Sequence, residues 1–283
     1  MATAAQIAEK LLTPSIPVLV IGLLVILGAP LLLHIVLSSS STYTTAPTII
    51  LLGQDNAGKT SLLTLLERGT EPAETHTSQA SQSVELSATT DAKSKGSFRN
   101  HADSTGTYTK FLLVDTPGHG KLRSVAMGKL SRAERLRGVV FMVDAAALGE
   151  QDTLAPTAAY LYDVLLYLQR RASDKAKAVV PVLIAANKMD LFTALPANLV
   201  KSRLENELGR IRSSRSKGLL DSGVGVDEIG SEEQDSWLGE YASEKFSFQQ
   251  MMEFGIDVEV IPGSVTTEAA DVDRWWWWMA NRV

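Results

Sequence analysis

Gly53-Gln54-Asp55-Asn56-Ala57-Gly58-Lys59-Thr60-Ser61 sits between an apolar run at residues 48–52 and a second one at residues 62–66. Its spacing is Gly, four residues, Gly-Lys-Ser/Thr. The first run reads as a buried strand and the second as the start of a helix. Strand, loop and helix together are the context in which this spacing marks a phosphate-binding loop. Successive backbone N–H groups in the loop, backed by a helix N-terminus, cradle an anion. Lys59 can reach the outer phosphates, and Thr60 can place its hydroxyl on Mg²⁺. A chance match in a glycine-containing turn would lack these flanks.

Beyond the loop, apolar runs recur at residues 111–114, 139–143, 179–186 and 258–261, with helical patterns at residues 154–171 and 198–211. Continuous Val/Ile/Leu strands separated by amphipathic helices predict a sheet covered on both faces, hence a doubly wound α/β domain with a mainly parallel sheet over residues 48–283. Such sheets bind ligands at the carboxyl ends of their strands. Polar segments interrupt the order at residues 70–82, 89–106 and 213–234. The second reads as a mobile hairpin or loop, and the third as disordered.

Two more motifs stand at predicted strand ends. Asp115-Thr116-Pro117-Gly118-His119 closes the second run. The Asp115 carboxylate can orient Mg²⁺, and the Gly118 N–H can reach a γ-phosphate whose loss would free the loop. Asn187-Lys188-Met189-Asp190 closes the fourth run. The Asp190 carboxylate can accept the ring N–H and exocyclic amine of guanine, whereas adenine offers an acceptor at the ring position and would leave it unpaired. Asn187 can brace the phosphate loop, and the Lys188 stem can lie along the base. Ser264-Val265-Thr266, after the last run, can offer a backbone N–H to guanine O6, although a plain turn at Pro262-Gly263 explains it too. Three motifs in order, each at a strand end, predict GTP with Mg²⁺.

The bulk composition adds limits. A net charge of −5 and a pI near 5.5 give no reason to expect a nucleic-acid surface. Cysteine is absent, which excludes disulfides and cysteine-ligated metals and fits a reducing compartment. Residues 16–37 carry no charge and are nearly all Leu, Ile, Val, Gly and Ala. That length suits a transmembrane helix, with Pro17 at its start and a kink at Pro30. A signal peptide has a shorter apolar core, and a buried core helix is rarely apolar all round. The expected organisation is a short lumenal segment at residues 1–15, a span at 16–37, a Ser/Thr-rich linker at 38–47 and a cytosolic nucleotide domain. Position 2 is not Gly and the chain has no Cys, so the lipidation motifs are absent.

Together these motifs resemble the small GTPases from residue 48 onward. Within them, a single N-terminal span followed by Gly53–Ser61 and by Asp115-Thr116-Pro117-Gly118-His119-Gly120-Lys121-Leu122-Arg123 resembles the beta subunits of the signal recognition particle receptor. That resemblance implies an endoplasmic reticulum membrane protein with a cytosolic GTPase domain. It implies a GTP-dependent grip on the N-terminal domain of the receptor's alpha subunit, for co-translational protein targeting. The translocation channel and the ribosome are further partners it suggests. It also implies a first switch that offers a Thr to Mg²⁺. Thr75 and Thr77 both lie in the right segment, and Thr77-Ser78 matches the family's Thr-Ser pair. Ser264-Val265-Thr266 departs from the Ser-Ala-Lys common in small GTPases.

Many small GTPases place a Gln where this chain has His119, to orient the attacking water. Imidazole can do this, or its cation can stabilise transition-state charge; a cap on the switch helix is the plainer role. Arg123 reads as a surface ion pair before an internal arginine finger. Of Trp275, Trp276, Trp277 and Trp278, one or two should pack on the sheet and the others meet a partner or headgroups. Slow hydrolysis is expected. Two alternatives are a GTP-locked scaffold with negligible turnover and an ADP-ribosylation-factor-like transport GTPase; the span argues against the latter.

Overall fold

The computed structural model describes residues 16–40, 46–69, 74–89, 108–173, 179–221, 237–239, 245–266 and 270–283. The chain divides into two compact units, Met1–Thr45 and Ala46–Val283. In the first, α1 (Ile16–Ser40) is a 25-residue helix with Pro30 inside it. Ile16, Leu23, Leu24 and Ile26 on it are each at least 60% exposed. The side chains of residues 18, 21, 31 and 33–40 are not described, and among the described residues no helix is long and apolar enough to cross a membrane. Residues 1–15 and 41–45, expected as lumenal segment and linker, lie outside the described residues.

The second unit is built on six strands: β1 (Thr48–Gly53), β2 (Gln82–Thr89), β3 (Tyr108–Asp115), β4 (Leu136–Asp144), β5 (Val182–Asn187) and β6 (Val258–Pro262). Their order is β2-β3-β1-β4-β5-β6. β2 runs antiparallel to β3 and every other pairing is parallel. The period of two along each strand divides the core into two layers. Ile50, Leu52, Val139, Phe141, Val182 and Ile184 face one side. There they meet α3 (Arg123–Arg132), α4 (Gln151–Ser173) and α5 (Ala197–Asp221). Ile49, Leu51, Val140, Met142, Leu183 and Ala185 face the other. They are covered by α2 (Lys59–Arg68) and α6 (Asp273–Ala280). The doubly wound, mainly parallel sheet is therefore as the apolar runs predict.

Three details differ from the sequence expectation. β2 was not foreseen: its Val84, Leu86 and Ala88 alternate with polar residues, the pattern of an edge strand with one covered face. α5 continues to Asp221, past the Ser213 where disorder was expected. Buried Arg212 and the Arg215–Asp163 ion pair at 2.9 Å tie that stretch to α4 and its surroundings. Residues 222–234 and most of 89–106 lie outside the described residues. Finally, three tryptophans rather than one or two are buried: Trp275, Trp276 and Trp278, with Trp277 54% exposed. Trp275 donates from its ring nitrogen to Ile261 O at 2.9 Å, and Trp276 lies 6.0 Å from Phe111, centroid to centroid.

Candidate nucleotide site

The parallel register brings Gly53 level with Met142, Asp144 level with Asn187 and Leu51 level with Asp115. All three predicted motifs thus meet at the carboxyl edge of the sheet. The phosphate loop leaves β1 where neighbouring strands diverge to β3 and β4, the place at which doubly wound sheets open a crevice.

Positive φ angles at Asn56 (57°) and Gly58 (93°) curl the loop, so that its N–H groups converge in an anion-binding concavity. Gly58 precedes α2 with no side-chain cap, leaving the helix's first N–H groups for a ligand. A β-carbon on Gly58 would overlap the Asn187 side-chain amide. That amide donates to Ala57 O at 2.8 Å, while the Asn187 carbonyl oxygen accepts from Val265 N at 3.2 Å. Asn187 therefore braces the phosphate loop, as expected, and also the loop after β6. Lys59 folds over the loop, donating to Gly53 O (3.0 Å) and Gln54 O (2.6 Å). Burial lowers its pKa to about 8, against the pull of Asp115 and Asp55.

Thr60 donates its hydroxyl to Asp115 Oδ2 at 2.6 Å. Asp115 Oδ1 is buried without a hydrogen-bond partner among the described residues. Burial raises the pKa of this carboxylate, against Thr60, Lys59 and the Thr116 N–H. An unsatisfied buried carboxylate oxygen beside a threonine hydroxyl is the oxygen donor set that suits Mg²⁺, held directly or through water. Gly118 packs so close that a β-carbon there would overlap Gln54, Asp55 and Lys59. Asp55, Asn56, Gly58, Lys59, Thr60 and Ser61 line a cleft of about 200 Å³, closed on its far side by Gly118 and by residues 75–78. Thr75 and Thr77 both face this cleft; Thr75 also shares a hydrogen bond with Ser61 at 3.1 Å.

At the base end, the Asp190 carboxylate accepts from the Ser264 hydroxyl at 2.6 Å, and that bond lowers its pKa. It stays ionised, as recognition of two guanine N–H groups requires. Ser264 also hydrogen-bonds Thr266. The residue that sequence reading missed is Asp144. Its Oδ2 holds Lys188 Nζ at 2.5 Å, and its Oδ1 accepts from Ala146 N and Ala147 N at 3.0 and 3.1 Å. Its place at the end of a strong apolar run was the available signal.

His119 is exposed, and its Nδ1 accepts from Lys121 N at 3.3 Å. It caps the turn Gly120–Leu122. Among the described residues, Arg123 is neither in an ion pair nor at the phosphate cleft. Its guanidinium donates to Pro156 O at 3.0 Å and lies 4.9 Å from the Tyr160 ring centroid, so it fastens α3 to α4.

Residues 44–254 match the family model described as signal recognition particle receptor beta subunit. The signal recognition particle receptor subunit beta of Saccharomyces cerevisiae is 32% identical over 209 residues, 71% of this chain and 74% of that protein. Among solved structures, the receptor SRb-GTP/SRX complex from Chaetomium thermophilum is 40% identical with a TM-score of 0.72, covering 84% of this chain and all of that one. The SRb-GDP-Mg form from the same organism is 42% identical with a TM-score of 0.63, over 86% of this chain and all of that one.

Proposed function

This chain belongs to the family of signal recognition particle receptor beta subunits, and we propose that it is a membrane-anchored GTP switch. In its GTP form it binds the receptor's alpha subunit at the endoplasmic reticulum. The observation that carries this reading is the pairing of one donor set with another across the carboxyl edge. Thr60 and Asp115 offer oxygens to Mg²⁺, while Asn187 and Ser264 hold the phosphate loop and Asp190 in one frame.

The chain's own groups divide the work. Lys59 and the loop N–H groups from Gly53 to Ser61 hold phosphate. Asp190 selects guanine, with Lys188, pinned by Asp144, lying along the base. Gly118 and Thr77 sense the third phosphate, since both stand at the cleft that it would fill. Mg²⁺, when bound, supplies charge that neutralises the phosphate oxygens. Support for a GTP-linked partner comes from the C. thermophilum relative, solved as a GTP complex with SRX. α1 is proposed as the anchor, from its uncharged sequence and exposed apolar side chains; it sets the nucleotide domain in the cytosol. Competition for a fluorescent guanine nucleotide tests the reading: GTP should displace it and ATP should not, and equal displacement by both would refute it.

A second reading, nucleotide held with negligible turnover, is favoured by His119 and Arg123. The first is engaged as a turn cap and the second is fastened to α4. Under it, His119→Ala leaves the single-turnover hydrolysis rate unchanged; a fall of about a hundredfold or more, the range of general-base catalysis, returns His119 to a catalytic role.

A further inference from the structure

Nucleotide and switches occupy the carboxyl edge of the sheet. The opposite edge has a composition of its own. The backbone places α2, α3 and α4 antiparallel to the strands they follow, so each helix ends at the amino edge. Each carries arginine in its last turn: Arg68, Arg132 and Arg170 respectively. Lys129 lies one turn before Arg132, and Arg135 and Arg137 flank the first residue of β4. All six are exposed. Arg171 marks the same corner, reaching from the end of α4 to Ala133 O at 3.4 Å. The acidic residues at this edge are Glu67 and Glu134 and, at the start of β6 beside the end of α6, Asp257 and Glu259, both paired with Arg282. In a chain with 27 basic and 32 acidic residues, this edge, with Arg282 counted, sets seven cations against four anions and so still runs opposite to the overall charge.

Helix dipoles account for arginine at helix ends. They do not account for Arg135 and Arg137, which lie in a loop and a strand. A second feature shares this edge. α6 descends from the Ile261 carbonyl, bonded by Trp275, to Gly138, against which the Trp278 ring packs. The exposed indole of Trp277 therefore lies on the last turns of a helix that ends near the amino ends of β4 and β5. Exposed tryptophan and arginine on one surface are the combination found where protein meets lipid headgroups.

The chain also enters the domain here. Thr48 N bonds Arg135 O at 2.9 Å, and Pro47 O accepts from Leu112 N at 2.8 Å. Only residues 41–45 separate the end of α1 from Ala46 in sequence. We propose that the amino edge of the sheet, through Arg68, Lys129, Arg132, Arg135, Arg137 and Arg170, with Trp277 at the same edge, docks on an anionic bilayer surface. This holds the nucleotide edge turned away from the membrane, toward a soluble partner. The proposal rests in part on α1 being the anchor. Juxtamembrane cations attract anionic lipid within about a Debye length, and together they suffice to orient a tethered domain.

The absence of cysteine gives a clean probe. Ser131→Cys on α3, exposed and next to Arg132, carries a single fluorophore on the full chain. The chain is reconstituted into phosphatidylcholine vesicles, with or without about 30% phosphatidylserine, the anionic lipid to which such cations respond. A headgroup-linked quencher reports proximity. Quenching should be at least threefold greater with phosphatidylserine. It should fall to the neutral-lipid level near 1 M salt, where the Debye length is about 3 Å, and in Arg132→Glu/Arg135→Glu/Arg137→Glu. GTP binding by that variant should match the parent, because the substitutions lie at the far edge from the cleft. Equal quenching in both lipids with the chain firmly embedded overturns the docking proposal and leaves the anchor standing. Loss of the chain from neutral vesicles, with arginine-dependent binding to anionic ones, overturns the anchor and supports the docking. No binding to either overturns both. Competition by a polyanionic RNA that frees the probe from anionic vesicles at equal charge overturns the choice of lipid.

Discussion

Lys59 carries a pH signature that can be worked out from its surroundings. Its ammonium is buried under the phosphate loop, and in the nucleotide-free protein its pKa is lowered from 10.5 to about 8 by desolvation. Below pH 8 the lysine is charged in both folded and unfolded chains, and the fold bears the full cost of burying it, about 3 kcal/mol. Between pH 8 and 10.5 the folded protein has released this proton while the unfolded chain keeps it. Unfolding then takes up a proton, so stability rises with pH through that window. Lys59→Met removes the titration while filling similar space. Urea melts of the nucleotide-free parent and variant at pH 7 and pH 10 give the test, because other titrating groups cancel in the difference. The difference should move in favour of the parent by roughly 2.5 kcal/mol between the two pH values. A difference that stays constant to within about 0.5 kcal/mol, the usual additivity error, would refute the burial argument. The same linkage makes nucleotide binding take up a proton above pH 8, since phosphate favours the ammonium.

Three further substitutions probe other parts of the site and its frame. Asp190→Asn replaces a carboxylate acceptor with an amide and should weaken GTP binding by roughly 3 kcal/mol, about a hundredfold, measured by nucleotide displacement. Gly118→Ala drives a β-carbon into Gln54 and Asp55 and should cost about 2 kcal/mol of stability in the nucleotide-free protein, read from chemical melts. Arg212→Ala empties a site between Trp237 and Phe246, whose ring centroids lie 4.9 and 5.7 Å from the guanidinium. It also strips a donor from Leu238 O, so a loss of about 3 kcal/mol is expected, with GTP affinity intact.

Much of this architecture was readable because its parallel strands are buried on both faces and so appear as unbroken apolar runs. The runs at β1, β4 and β5 predicted the sheet, and the three motifs at their ends predicted where a nucleotide would lie. β2 escaped because an edge strand covered on one face alternates instead: Val84, Leu86 and Ala88 look inward between Ser83, Glu85 and Ser87. Asp144 escaped for another reason. Its contact with Lys188 joins two strand ends distant in sequence, and only the β4–β5 register brings them level. Helix periodicity alone puts only one or two of the four tryptophans on the sheet, because it treats the four positions as equals. Gly138 and Gly263 make room for Trp278 and Trp275, the Ile261 carbonyl accepts from Trp275, and Phe111 meets Trp276, so three fit the same face. Arg123 reads as an ionic residue in sequence, and only the fold shows that it is fastened to the Pro156 carbonyl.

The central claim is that nucleotide state governs partner binding. The direct measurement is retention of the receptor alpha subunit's N-terminal domain on the immobilised full chain, in detergent, loaded with GTP or with GDP in the presence of Mg²⁺. The account predicts retention with GTP and release with GDP, and loss of retention in Asp190→Asn at the same GTP concentration. Equal retention in both nucleotide states would contradict it.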